Sequence, residues 1–404
     1  MPLPSLSSGL SFGTVPATVA AALILTPLVL SRPASAAPER IGGAVLTPVA
    51  IETLPGFPGS DPGAARDAFR RVCAAPPPAL PQPAGVAGDP EALAEACAAS
   101  VGDVPDAATF FRDHFDAFRV ERPGAGQPGF LTGYFEPELD GSLDAAAEFP
   151  TPVLARPDDL VSLGPGETRP GLDPSLRAAR ATPAGFVPYP DRAAIEDGAL
   201  GARARPILWL RDAVDLLVLQ VQGSGRVRLP DGRAVRVLYD GRNGQPYTAV
   251  AKLIVQAGHL PLEGLTLARW TGWLRDHPDA GRRLIRANAS YIFFRLAEVA
   301  DPALGPPGAA NAPLSPGYSL AVDAGLWRYG LPFWLAGKLP DRAGGEAGRL
   351  VIAADTGSAI VGPARGDLFV GTGAKAGIVA GNLRDAIGLV VLLPKRNPAQ
   401  ERAP

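Results

Sequence analysis

The chain is poor in the residues from which common metal and nucleophile sites are built. It carries two cysteines, Cys73 and Cys97, and three histidines, His114, His259 and His277, which lie far apart. A Cys/His zinc site needs such ligands in close pairs, and no calcium-loop pattern occurs, so no metal and no cofactor is expected. No Gly-x-Ser-x-Gly elbow is present. QGSG (222–225) has no histidine near it, which argues against a serine hydrolase. GTGAKAG (371–377) lacks the Lys-Ser/Thr pair of a phosphate loop. The net charge is only −2 and there is no long basic run, so no nucleic-acid partner is expected. Long apolar runs are missing too. AALILTPLVL (21–30) is too short to span a bilayer, and no other segment is long and apolar enough.

What is abundant is glycine and proline, 47 and 45 in 404 residues, in a chain that is 47% apolar. That composition predicts a globular, strand-rich protein with many turns and room for two domains. AALILTPLVL followed by PASAA (33–37) resembles an export signal covering 1–36, although no Lys or Arg precedes the apolar core. In an oxidising compartment Cys73 and Cys97 are a natural disulfide; the alternative is two buried thiols.

Along the chain, 91–100 predicts a short helix. Phe111, Phe115 and Phe118 at helical spacing predict another over 105–120, with Asp106 as its cap. DLLVLQVQGSG (215–225) and AVRVLYDG (234–241) read as strands flanking a Pro-Asp-Gly hairpin turn. Helices follow at 247–258, 267–278 and about 279–288, then a strand at 290–296 and a Pro/Gly-rich loop at 301–317. Four short apolar runs at 319–323, 349–355, 367–371 and 389–394 read as buried strands of a small closed sheet, with a helix within 373–388.

Two aspartates stand out in AADTGSAIVGPARGDLFVGTG (353–373). Asp355 and Asp367 sit in apolar, Gly-rich surroundings where desolvation raises a carboxyl pKa and keeps a proton available for general acid catalysis. Taken alone they fit a two-carboxylate glycosidase, or simply turn acids capping their own backbone. QGSG and NGQPY (243–247) suit hydrogen bonding to a sugar chain, or are plain turns. TGYFEPELDG (132–141), taken alone, is a strand with solvated acids.

Together, FFRDHF, LTGYFEPEL, LQVQGSGRVRLPDG, YDGRNGQPY, NASYIFFR, SLAVDAGLWRYGLPFWLAG and AADTGSAIVGPARGDLFVGTGAKAG resemble the membrane-bound lytic transglycosylase A (MltA) family. The likeness runs in order over roughly 105–395, and its C-terminal part is similar to the three-aspartate (3D) domain. It implies a mainly β fold with a few short helices: a six-stranded double-psi β-barrel with a second β-rich domain inserted. The expected parts are a signal peptide (1–36), an N-terminal region with part of the barrel (37–139), a substrate-binding insert (140–285) and a C-terminal barrel part (286–404). The implied activity is cleavage of the β-1,4 bond between N-acetylmuramic acid and N-acetylglucosamine in peptidoglycan, forming 1,6-anhydro ends. Asp367 would act as acid and then base, with Asp355 in support. Asp323, Tyr134, Gln222, Ser224 and Asn243 would line the glycan groove. The implied partners are peptidoglycan strands and other cell-wall enzymes, for a monomer in the periplasm. The family's lipid-bearing cysteine is missing after the signal, which favours a soluble form. Alternatives are a non-catalytic peptidoglycan-binding module and a hydrolase of another β-linked polysaccharide.

Overall fold

The computed structural model describes residues 39–57, 62–78, 81–102, 106–122, 128–164, 167–337, 339 and 347–396; the expected signal segment lies outside them. In chain order the first part holds β1 (Glu39–Ile41), β2 (Ala44–Val49), α1 (Pro62–Ala74), α2 (Pro90–Ser100), α3 (Ala107–His114), β3 (Phe115–Glu121) and β4 (Gly129–Glu136). The middle part holds β5 (Glu138–Ser142), β6 (Thr151–Leu154), β7 (Leu160–Ser162), β8 (Ala178–Thr182), β9 (Gly185–Pro188), α4 (Arg192–Glu196), β10 (Pro206–Leu210) and α5 (Ala213–Gln222). It continues with β11 (Ser224–Arg228), β12 (Ala234–Arg242), α6 (Val250–Gln256), α7 (Leu267–Asp276), α8 (Pro278–Arg286) and β13 (Ile292–Glu298). The last part holds β14 (Ser319–Ala321), β15 (Pro332–Gly337), β16 (Ala347–Asp355), β17 (Arg365–Thr372), α9 (Gly373–Asn382) and β18 (Arg384–Pro394).

The first and last parts share one nine-stranded sheet, ordered β1-β2-β3-β18-β15-β16-β14-β17-β4, and a further β18–β4 pairing closes six of its strands into a ring. The fold is thus mainly β with several helices. Strands β15, β16 and β18 read as near-continuous apolar runs because both their faces are covered. Phe333, Val351 and Val391 point to one core cluster, while Trp334, Leu350, Ile352 and Val390 face a second built with Phe69, Phe110 and Phe111 of α1 and α3. Cys73 of α1 and Cys97 of α2 form a disulfide that ties these two helices together.

The middle part forms its own six-stranded sheet, β13-β12-β11-β5-β10-β6, and a three-stranded one, β7-β8-β9. This sheet runs on past residue 285, where the second part was expected to end, since β13 pairs along β12 as far as Glu298.

Two helix and strand expectations fail for identifiable reasons. Residues 213–222 form helix α5, not a strand; β11 begins only at Ser224, and the hairpin with β12 stands. Val214 and Leu216 to Gln220 are all buried, so the apolar run hides its helical period. The signals that remain are the Asp212 carboxylate capping Asp215 N–H and Gly223 at a left-handed φ of 81°. Helix α3 is capped by Asp106 as expected but stops at His114. Phe115 is already extended and pairs with Pro394 of β18, and from there buried Phe115 and Ala117 alternate with exposed Asp116. Period two wins because strands lie on both sides of β3.

The ring and the middle part are joined through Glu136, the last residue of β4 and fully buried. Its carboxylate accepts from Arg226 Nε of β11 (2.8 Å), Arg236 Nε of β12 (2.6 Å) and Thr372 Oγ1 of β17 (2.8 Å). The same two guanidinium groups donate to the carbonyls of Pro302 and Leu304 in the Pro/Gly-rich loop. The solvated acid anticipated in TGYFEPELDG is thus a buried charge with two cations. Removing one partner of such a group leaves the others desolvated and uncompensated. Glu136→Ala is expected to lower the unfolding free energy by about 3–5 kcal/mol, measured by denaturant titration.

Candidate active site

Strands β4 and β17 run parallel in a register that brings functional side chains together in rungs. Arg365 stands opposite Phe130, Asp367 opposite Thr132, Phe369 opposite Tyr134 and, past an irregularity, Thr372 opposite Glu136. Alternate residues of a strand share a face, so these four rungs lie on one side of the pair. The other side of β4 is core: Leu131 is fully buried, and a Cβ at Gly133 would lie 2.9 Å from Ala380 Cα in α9.

Asp355 joins this face across β14. Ala321 of β14 is flanked by Asp355 at the end of β16 and by Asp367 within β17. Two acids twelve residues apart therefore meet on either side of a single strand. Tyr134 bridges towards the second acid, donating its hydroxyl to Asp355 Oδ2 at 2.8 Å while its ring packs 5.3 Å from Phe369. Asp355 Oδ1 accepts the backbone N–H of Ala309 and of Thr356, both at 2.9 Å. The Pro/Gly-rich loop thus reaches the site as well. It comes this close because residue 308 is glycine: a Cβ there would sit 2.5 Å from the Ala354 carbonyl oxygen.

The two acids have unequal surroundings. Burial pushes the Asp367 carboxyl up to about 6; the Thr132 hydroxyl and the Arg365 charge pull it down, and the Asp355 charge adds to the rise. Thr132 Oγ1 donates to Asp367 Oδ1 at 2.5 Å and itself accepts from Arg365 Nη2 at 2.7 Å, so Arg365 acts on the acid partly through a hydroxyl. Burial also raises Asp355 above the usual range, but its hydrogen bonds from Ala309, Tyr134 and Thr356 oppose that rise. Tyr134 is held protonated, its pKa raised by burial and then by the Asp355 charge.

Of the other expected site residues, Gln222 bonds to β4. Its Oε1 accepts the N–H of Phe135 at 3.2 Å, between Tyr134 and Glu136 on β4. Ser224 opens β11, half-buried, opposite Leu238. Asp323 shapes the rim: it accepts from Gly325 N–H at 3.0 Å and from Gly362 N–H at 2.7 Å, holding the loop that follows Asp355. Asn243 departs from expectation. It is fully buried, donates to the Pro190 and Ala289 carbonyls and accepts from Tyr291 N–H, so its amide clamps loops of the insert and has nothing to offer a glycan. Thr132, Arg365 and Glu136 were missed. Only their alternation with Tyr134 and Asp367 along two strands could have found them. Among the described residues no cluster of His, Cys, Asp or Glu is suited to a metal ion.

The raised pKa of Asp367 makes a sign-definite prediction about stability. Its folded value of about 6 lies above the ordinary 3.8, so the native state keeps a proton that the unfolded chain releases. Asp367 therefore costs stability progressively from about pH 4 to pH 6, and about 3 kcal/mol above that. Asp367→Asn is expected to stabilise the protein by that order at pH 8 and hardly at all at pH 3.5, read from urea unfolding at the two pH values. Equal effects at both would contradict the desolvated acid.

Residues 130–295 match the MltA specific insert domain and residues 318–393 match the 3D domain. The fold is similar to the crystal structure of a membrane-bound lytic murein transglycosylase from Agrobacterium tumefaciens, at 34% identity and a TM-score of 0.75, over 88% of this chain and 99% of that one. It is also similar to MltA from Neisseria gonorrhoeae, at 27% identity and a TM-score of 0.68, over 90% and 97% of the two chains. The membrane-bound lytic murein transglycosylase A of Vibrio cholerae is 30% identical over 201 residues, 48% of this chain and 53% of that protein, so the chain spans about half of that relative's length. With both domains in order and the A. tumefaciens structure matched over nearly its whole length, the chain belongs to the membrane-bound lytic murein transglycosylase A (MltA) family.

Proposed function

We propose that the protein is a murein lytic transglycosylase with Asp367 as its acid and base. The observation that carries this reading is a single buried carboxyl with a pKa near 6, set beside a second acid that is richly supplied with hydrogen-bond donors. In the first step Asp367 gives its proton to the glycosidic oxygen between N-acetylmuramic acid and N-acetylglucosamine, and the C1–O bond breaks. The muramic C6 hydroxyl then attacks C1, and its proton passes to the Asp367 carboxylate. The enzyme returns to its starting protonation, no water is consumed, and a 1,6-anhydro ring results. The nucleophile travels with the substrate, so one carboxyl serves both steps. Asp355, as the carboxylate, faces the positive charge that develops at C1, and Tyr134 holds it in place.

We read the six-stranded ring as the double-psi barrel of this family and residues 138–298 as the insert that completes a glycan groove. The Cys73–Cys97 disulfide fits an oxidising compartment, which supports assignment to the periplasm. Among the described residues no helix is long and apolar enough to cross a membrane.

Digestion of purified sacculi, followed by mass spectrometry of the muropeptides, tests the reaction. Products ending in 1,6-anhydromuramic acid are expected, and reducing ends in their place would mark a hydrolase. Asp367→Asn is expected to lose activity by on the order of 10²–10⁴-fold, whereas full retention would remove Asp367 from the chemistry.

The pH profile separates Thr132 as a positioning residue from a merely structural one. Its hydroxyl pulls the Asp367 pKa down, so Thr132→Val is expected to raise that pKa. The loss of rate at alkaline pH, which should begin near pH 6 in the native enzyme, moves to higher pH in the variant. A general fall with an unshifted profile would point to a structural role.

A further inference from the structure

In the first rung of the β4–β17 ladder Arg365 reaches Asp367 through Thr132, but Phe130 has no part in the chemistry above. Phe130 is 42% exposed on a strand whose opposite face is core, and the Arg365 guanidinium lies 5.3 Å from its ring centroid. A cavity of about 380 Å³ opens beside this pair, lined among others by Arg122, Val361 and Pro363, with no acid in its wall. Val361 is 71% exposed at its rim. Arg122 is exposed and, among the described residues, has neither an ion-pair nor a hydrogen-bond partner. The two terminal nitrogens of Arg365 are engaged with Thr132, Phe130 and Gly366, while its Nε–H makes no hydrogen bond among the described residues. Exposed apolar surface beside two cations, with no acid in the cavity wall, fits a ligand with an apolar ring face and a negative charge.

Position narrows the ligand further. Arg365 and Asp367 are two residues apart on the same face of β17, about 7 Å along the strand. A sugar ring at Asp367 therefore carries its substituents to the cavity mouth. In murein every second sugar bears a lactyl ether whose carboxyl is either free or joined to an acidic peptide; chitin-type glycan has neither. We propose that the cavity between Arg122 and Arg365 is a carboxylate-binding subsite, which recognises the acidic substituent of the sugar seated next to Asp367. This rests on the transglycosylase reading for the location of the glycan, but it is tested by binding and not by turnover.

The full-length Asp367→Asn protein is titrated with three probes: chitohexaose, glycan strands stripped of peptide, and glycan strands still bearing peptide. The carboxylated strands are expected to bind about 10-fold tighter than chitohexaose. Arg122→Gln in the same background is expected to remove most of that difference while leaving chitohexaose binding within twofold. Arg122→Glu should reverse the preference. Tight binding of stripped strands assigns the lactyl carboxylate; tight binding of the peptide-bearing strands alone assigns the peptide carboxylate. Equal binding of all three probes, no binding of any, or an equal loss for all three in Arg122→Gln overturns the subsite. Failure of the transglycosylase reading would appear separately, as missing 1,6-anhydro products from the native enzyme.

Discussion

The buried carboxylate of Glu136 fixes the relation between the two halves of the molecule. It ends β4 of the ring, yet its cations come from β11 and β12 of the insert and its hydroxyl donor from β17. A desolvated charge tolerates little displacement, because each lost donor leaves part of the charge unpaired. One residue earlier or later on β4 would present the opposite face and put the carboxyl into the ring's core. The register of β4 against β17 is therefore pinned at one end. The irregularity before Thr372 fits that constraint: it lets the hydroxyl of Thr372 come opposite Glu136 where a regular strand would offer Gly371.

The β4 residues of the candidate active site lie upstream of that pin on the same face. Counting back by twos from Glu136 gives Tyr134 on Asp355, Thr132 on Asp367, and Phe130 under Arg365. The loop that takes the outer donors of Arg226 and Arg236 at Pro302 and Leu304 goes on to offer Ala309 N–H to Asp355. The charge cluster around Glu136 and the carboxyl of Asp355 are thus linked by a few residues of backbone. The proposed glycan groove between ring and insert would need such a link, since a shift between its walls would misplace the scissile bond.

Much of the fold was legible in the sequence, and less of the site. The apolar runs bounded by Gly, Pro and Asp identified the C-terminal strands, since buried strands need β-compatible apolar residues and their ends need turn chemistry. The run at 213–222 misled because helices and strands that are buried all round look alike. The Phe111, Phe115, Phe118 spacing misled because two of those rings belong to a strand that starts one residue after the helix ends. Asp355 and Asp367 stood out by being acids in an apolar stretch. Glu136 did not, because the arginines that bury it lie 90 and 100 residues away. Asn243 misled in the opposite direction: a polar residue beside glycines looked like a sugar ligand, whereas its partners are backbone carbonyls that only the fold brings near.

The inequality between the two aspartates then follows from counting donors. Both are desolvated, which alone would leave two neutral acids and no charge to meet an oxocarbenium-like transition state. Asp355 receives three hydrogen bonds shared between its two oxygens, each of which favours the carboxylate. Among the described residues Asp367 receives one, from a hydroxyl already polarised by Arg365. These bonds oppose the rise that burial causes at Asp355, and the Asp355 charge in turn adds to the rise at Asp367. Below about pH 6 Asp367, beside Thr132, keeps its proton, which is the state the proposed single-acid mechanism requires at its outset.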